Sequence, residues 1–291
     1  MRWISCHRLR MQDDRVGNRG MTDWDDAFAN MAHVENSHEL PAFWAARAAA
    51  YRAGLPPERL ELDVSYGDGP RQGLDILHPE GPAKGLAVFV HGGYWMRLDK
   101  SYWSDLAEGA LAHGWAVCIP SYTLTPHARV RDITAEIGQA ISLAAARVAG
   151  PICLAGHSAG GHLVTRMLCE DTPLAGEVLA RVQNTLSISG LHDLRPLLHT
   201  KMNETLRMDA SEARLESAAL HGPCQASPLT AWVGGGERPE FIRQAKLMAL
   251  MWEGLDVPTR LHIDGAHNHF TVLEGLKDAH APITKAWLGV E

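Results

Sequence analysis

The run Gly156-His157-Ser158-Ala159-Gly160-Gly161 constrains this 291-residue chain more tightly than any other stretch. It follows Pro151-Ile-Cys-Leu-Ala155, a short apolar run of strand character, and leads into helical spacing over residues 161–169. A strand that reverses into a helix within a few residues needs a sharp turn. Gly156 and Gly160, two positions either side of Ser158, carry no side chain to obstruct it. A serine on such a turn projects its hydroxyl from the backbone, and the N-terminus of the next helix favours negative charge developing beside it. The pattern predicts Ser158 as a covalent nucleophile on a strand–turn–helix unit.

The rest of the chain agrees with that unit. From residue 60 onward strand-like and helix-like stretches alternate, which predicts an α/β fold with a mostly parallel central sheet flanked by helices. Strands are expected at 60–64, 74–77, 85–90, 116–119, 152–155, 181–189, 229–233 and 259–263. Helices are expected at 100–113, 130–148, 161–169, 239–255 and 271–288. Residues 194–220 read as a helical excursion forming a small cap over the site, and 23–57 as helical packing around the core. No repeat or low-complexity linker divides the chain, so a single domain over 21–291 is expected.

Residues 1–20 carry Arg2, His7, Arg8, Arg10, Arg15 and Arg19 without a continuous apolar run, so they do not read as a secretory signal. Asp13 and Asp14 weigh against a transit peptide, and Met21 opens a cleaner acidic segment. The expectation is a disordered or non-native extension over 1–20. A net charge of −7 argues against nucleic acid and against an anionic membrane surface, since both need an excess of Lys and Arg. The five cysteines are scattered and odd in number, which fits a reducing, cytoplasmic setting better than a disulfide scaffold. No 18-residue apolar run is present. A homodimer is allowed but not specified.

Attack on a carbonyl creates an alkoxide that needs preorganised N–H donors. His91-Gly92-Gly93-Tyr94-Trp95 directly follows the strand expected at 85–90, and Gly93 and Tyr94 are assigned as loop donors alongside the amide of Ala159. The serine also needs a histidine base oriented by a carboxylate, in the chain order serine, acid, histidine. After the last strand come His267 and His269; His269 is favoured because it directly precedes Phe270, which can pin the loop. Glu237, at the turn after the strand 229–233, is the favoured acid. Asp193 is its rival, Glu240 reads as an N-terminal helix charge, and Asp264 lies too close to His269 in sequence.

His-Gly-Gly-x-Trp together with Gly-His-Ser-Ala-Gly-Gly-His resembles the arylformamidase (kynurenine formamidase) branch of the α/β-hydrolases. The similarity extends to Ser189-Gly-Leu-His-Asp-Leu-Arg-Pro-Leu, to Pro239-Glu-Phe-Ile-Arg-Gln244 and to His269-Phe270, and so spans the chain from about Trp24 to its end. In that family the acid is an aspartate before Ser-Pro-Glu-Phe. Here Glu237 stands before Arg238-Pro-Glu-Phe, so the resemblance implies Glu237 over Asp193 with one extra methylene to accommodate. It also implies an α/β-hydrolase fold and His269 over His267.

The activity so implied is hydrolysis of a formamide such as N-formylkynurenine to kynurenine and formate through an acyl-enzyme. A carboxylesterase for small acyl esters with the same residues is the alternative. A non-catalytic ligand-binding chain would be expected to lack a triad member, and none is missing. Trp95 and Trp103, with Trp232 as a further candidate, could line a leaving-group pocket, although tryptophans of this kind are more often core. The sixteen histidines show no metal-ligand spacing and Gly234-Gly-Gly no phosphate-loop lysine, so neither metal nor cofactor is expected.

Overall fold

The computed structural model describes residues 22–290, and the extension expected at 1–20 lies outside them. Eight strands form one sheet: β1 (Leu60–Ser65), β2 (Gly73–Leu77), β3 (Leu86–Val90), β4 (Ala116–Pro120), β5 (Ile152–His157), β6 (Val182–Ile188), β7 (Leu229–Gly234) and β8 (Thr259–Asp264). Their order is β1-β2-β4-β3-β5-β6-β7-β8. β2 runs antiparallel to both its neighbours, and every other pairing is parallel. β3, β4 and β5 are buried along their whole length, which is why they read as continuous apolar runs instead of alternating ones.

The sheet separates two cores. On one face pack the helices Val130–Arg147, Ala159–Arg166 and Pro239–Glu253, on the other Leu40–Gly54, Glu108–Ala112 and Pro282–Leu288. The helix expected at 100–113 is broken. Two 3-10 turns, Lys100–Tyr102 and Ser104–Ala107, precede Glu108–Ala112, because Trp103 leaves helical geometry at φ −129°. That turns its indole into the core, 5.0 Å from Trp44 and 6.3 Å from Phe89. The helix expected at 271–288 is broken too. A 3-10 turn at Glu274–Lys277 is separated from Pro282–Leu288, since Pro282 has no N–H to continue a helix and suits a first turn.

The excursion at 194–220 is helical as expected, but in short pieces: 3-10 helices at Arg195–His199 and Ala218–Leu220 and α-helices at Asn203–Leu206 and Ala210–Leu215. It does not form the expected cap; Met202 alone reaches the cavity at Ser158. The cover comes from the N-terminal segment instead. The Tyr94 hydroxyl donates to the Phe28 carbonyl (2.6 Å), and Arg47 bridges Asp105 (2.5 Å) and Glu274 (2.9 Å). Trp44 is sandwiched between Trp103 and Phe270. Among the described residues no helix is long and apolar enough to cross a membrane.

Because Trp44 ties the N-terminal segment to the second core, Trp44→Ala is expected to lower stability by about 3–5 kcal/mol, the usual range for emptying a buried tryptophan site. Urea unfolding followed by tryptophan-independent circular dichroism measures it. A loss below about 1 kcal/mol would show that the segment is docked by other contacts.

Candidate active site

Ser158 sits between β5 and the helix Ala159–Arg166 with φ 55° and ψ −116°, a conformation L-residues rarely adopt. Its amide is anchored on the Ile188 carbonyl at 2.8 Å, and the residue is buried. The flanking glycines are required by close packing. A Cβ on Gly160 would lie 1.9 Å from the Val90 carbonyl oxygen, and one on Gly156 would lie 2.1 Å from that of Gly160. The helix therefore starts pressed against the end of β3.

The loop after β3 coils tightly, with positive φ at Gly93 (112°), Tyr94 (54°) and Trp95 (58°) and the Met96 amide donating to the Gly93 carbonyl at 3.0 Å. Among the described residues the amides of Gly93, Tyr94 and Ala159 donate to no backbone carbonyl. Gly93, Tyr94, Ser158 and His269 line one cavity of about 370 Å³.

His269 Nδ1 donates to Glu237 Oε2 at 2.7 Å, and both side chains are buried. The other carboxylate oxygen, Oε1, accepts from the Ser189 hydroxyl (2.5 Å) and the Gly234 amide (2.7 Å). Three donors therefore meet the Glu237 carboxylate and fix its plane. The imidazole of His269 lies between Phe241 (4.6 Å between ring centroids) and Phe270 (5.3 Å). His157 Nε2 donates to the His269 carbonyl at 2.9 Å, joining the residue before Ser158 to the loop that carries the imidazole. Burial and the neighbouring His269 hold His157 well below the ordinary histidine range, so it stays neutral. Ser158 and His269 face the same cavity without a hydrogen bond between them, a contact that tightens in many hydrolytic sites only when substrate is held.

The structure does not bring the rival residues to this point. Asp193 pairs with Arg195 (2.7 Å) and Arg243 (3.7 Å). Burial alone would push its carboxyl up, but the hydrogen bonds and charge of Arg195 hold it below the ordinary carboxylate range. Glu240 pairs with Arg243 (2.7 Å) and accepts from Gln244 (2.8 Å). His267 is part-exposed and contacts Thr271 Oγ1 at 3.2 Å. Trp95, expected at the substrate, is not at the cavity: it is fully buried, edge-on to His162 at 5.1 Å. The consecutive positive φ values turn it beneath the loop while Tyr94 faces the cavity. Trp232 stacks on His262 (3.6 Å) and does not line the cavity, whereas Trp103 does.

Ser189 and His157 were not among the residues singled out for the site. Ser189 opens the Ser-Gly-Leu-His-Asp stretch and takes φ 51°, but its partner Glu237 lies 48 positions away, beyond any local pattern. Among the described residues no group of three or more His, Cys, Asp or Glu side chains is arranged to hold a metal ion.

A buried serine on a strained strand-to-helix turn, open amides beside it and a carboxylate-bound histidine facing it define a hydrolase of the α/β type. Residues 87–287 match the alpha/beta hydrolase family, and the chain belongs to that family. It is 25% identical to kynurenine formamidase of Danio rerio, over 92% of this chain and 98% of that protein. It is 28% identical to that of Salmo salar, over 81% and 82%. A crystal structure described as a candidate thioesterase from Silicibacter sp. TM1040 superposes with a TM-score of 0.86 at 46% identity, covering 91% of this chain and 99% of that one. A phosphonate-inhibited esterase B from Lactobacillus rhamnosis shares the fold (TM-score 0.64, 20% identity, 87% and 92% covered).

The site is surrounded by histidines that must stay uncharged. Burial lowers His91 to about 4 and His192 to about 3; burial and the nearby Arg166 lower His162 to about 3. In the unfolded chain each titrates near 6.5, so unfolding takes up protons whenever the pH lies below that value. Stability from these groups is present above pH 6.5 and falls as the pH drops towards 4, by about 1.4 kcal/mol per pH unit for each. Urea midpoints at pH 7 and pH 5 are expected to show a marked loss at pH 5. Equal midpoints would contradict neutral burial.

Proposed function

We propose that this hydrolase cleaves the N-formyl amide of an aryl-amine amino acid such as N-formylkynurenine, giving kynurenine and formate. Ser158 Oγ attacks the formyl carbon while His269 Nε2 takes its proton. The oxyanion is met by the amides of Gly93, Tyr94 and Ala159. His269 then returns the proton to the departing aryl nitrogen, and water, deprotonated by the same imidazole, releases formate from the formyl-serine. Glu237 holds the imidazole in the tautomer with Nδ1 protonated and stabilises its charged form.

The observation that carries this reading is the cavity in front of Ser158. Phe28, Trp44, Tyr94, Trp103 and Phe270 give it an aromatic wall suited to an aryl leaving group. Asp25 and Arg97 also line it. Among the described residues neither forms an ion pair, and Asp25 accepts only from the Lys201 amide (2.7 Å). One open carboxylate and one open guanidinium suit the ammonium and carboxylate of an α-amino acid. The formyl group is small, so it needs little acyl-side space in the cavity that Tyr94 and Ser158 both line. The similarity to kynurenine formamidases of two fishes supports the same substrate.

A second reading, hydrolysis of a small ester or thioester by the same residues, draws support from the 46% identity to the candidate thioesterase. Purified protein assayed side by side on N-formylkynurenine and a short p-nitrophenyl ester separates the two. The formamide is expected to be the better substrate by kcat/KM, and ester cleavage without formamide turnover would overturn the first reading. Ser158→Ala is expected to lower kcat at least about 10⁴-fold on either substrate. Glu237→Gln is expected to lower kcat about 10⁴-fold while leaving KM little changed. Arg97→Ala is expected to raise KM for N-formylkynurenine about tenfold, the loss of one charged hydrogen bond, and to leave neutral formanilide unaffected.

A further inference from the structure

A secondary formamide differs from the matching ester at the scissile bond by an N–H in place of an oxygen. As Ser158 attacks, the amide nitrogen loses its conjugation with the carbonyl, and its lone pair turns to the proton that His269 Nε2 delivers. The N–H must then point elsewhere in a buried cavity, where a donor left without a partner is costly. An ester oxygen makes no such demand.

His157, the residue before Ser158, is built to meet that demand. Its Nε2 lies 2.9 Å from the His269 carbonyl, and a carbonyl only accepts, so the single ring hydrogen of neutral His157 sits on Nε2. Nδ1 therefore carries a free lone pair. Burial and the neighbouring His269 keep the ring well below the ordinary histidine range, so that lone pair stays unprotonated. The residue is only 5% exposed, and it lines the cavity at Ser158. Among the described residues no group donates to Nδ1, and unlike the unpaired Nδ1 atoms of His162 and His192 it is not sealed in the interior.

Two neighbours place Nδ1 beside the reacting atoms. A Cβ on Gly92 would lie 3.0 Å from Ser158 Cβ and 3.1 Å from His157 Nδ1, so the serine and the ring nitrogen flank the same bare glycine. The His157 and His269 rings stand 4.6 Å apart between centroids, and the leaving nitrogen must come to His269 for its proton. We propose that His157 Nδ1 accepts the N–H of the scissile amide and so makes the site selective for secondary formamides over the matching esters. This role rests on the formamidase reading and names the group that carries its preference for amides. The proton gained by the departing amine comes from Ser158 by way of His269. His157 takes none: as the C–N bond breaks, the N–H it holds leaves with the amine.

Formanilide and phenyl formate differ only by N–H for oxygen, and the ratio of their kcat/KM values in folded wild type and variants tests this, with far-UV circular dichroism as the check on folding. His157→Gln keeps an amide N–H for the His269 carbonyl and removes the acceptor at Nδ1. It is expected to lower kcat/KM for formanilide about tenfold or more relative to phenyl formate. His157→Asn puts an amide oxygen near the place of Nδ1 and gives up the tie to His269. It is expected to slow both substrates and to keep their ratio within about threefold of the wild-type value. A folded Gln variant with the wild-type ratio would overturn the proposal. So would an Asn variant that loses the ratio as fully as the Gln variant, or a wild type that cleaves phenyl formate but not formanilide. A wild type that cleaves formanilide and leaves N-formylkynurenine intact would overturn the substrate reading alone, and the formanilide to phenyl formate ratio would still decide the role of His157.

Discussion

The strained turn at Ser158 is the constraint on which the rest of the site depends. A φ of 55° with a ψ of −116° at a serine costs about 1–3 kcal/mol of backbone strain, so the surroundings must hold it. They do so from three sides. The Ser158 amide is bonded to the end of β6, and Gly160 lies under the Val90 carbonyl at the end of β3. The helix that follows is tied down by His162 Nε2 on the Glu216 carbonyl (2.7 Å) and by Arg166 on Asp171 (2.7 Å). His157, still part of β5, reaches across to the His269 carbonyl. The end of one central strand thereby sets the position of both the serine and the imidazole loop.

The opposite side of the site is laced in the same way. The Gly235 amide donates to the Asp264 carbonyl (2.6 Å) and the Gly236 amide to that of His267 (3.0 Å), so the loop after β7 is tied by its backbone to the end of β8 and the loop that follows. This lacing suits a glutamate where the resembling family carries an aspartate. The longer side chain of Glu237 is gripped by the Gly234 amide and the Ser189 hydroxyl, and its second oxygen still meets His269 squarely. The extra methylene is absorbed in the fold of the glycine-rich turn.

Much of this was legible in the sequence because it is local. Gly156 to Gly161, His91 to Trp95, Glu237 and His269 each sit at the end of a strand whose apolar run marks it, and the sheet order brings those ends together. What escaped is what depends on distant partners or on loop dihedrals. Trp95 and Tyr94 are neighbours, yet successive left-handed residues send one beneath the loop and the other into the cavity. Trp232 shares the second core with Trp44 and Trp103, yet it stacks on His262 of the neighbouring strand instead of lining the cavity. The N-terminal segment covers the cavity through Phe28 and Trp44, whose contacts to Tyr94 and Trp103 cross about sixty positions and leave no periodic trace.

The central claim is that Ser158, activated by His269 and Glu237, is the covalent nucleophile. The most direct measurement is intact-mass spectrometry of the folded protein after treatment with a fluorophosphonate, followed by peptide mapping. The account predicts a single phosphonyl adduct on Ser158, formed rapidly in the folded protein and not after denaturation. A protein that remains unlabelled, or that carries the adduct on another residue, would contradict it.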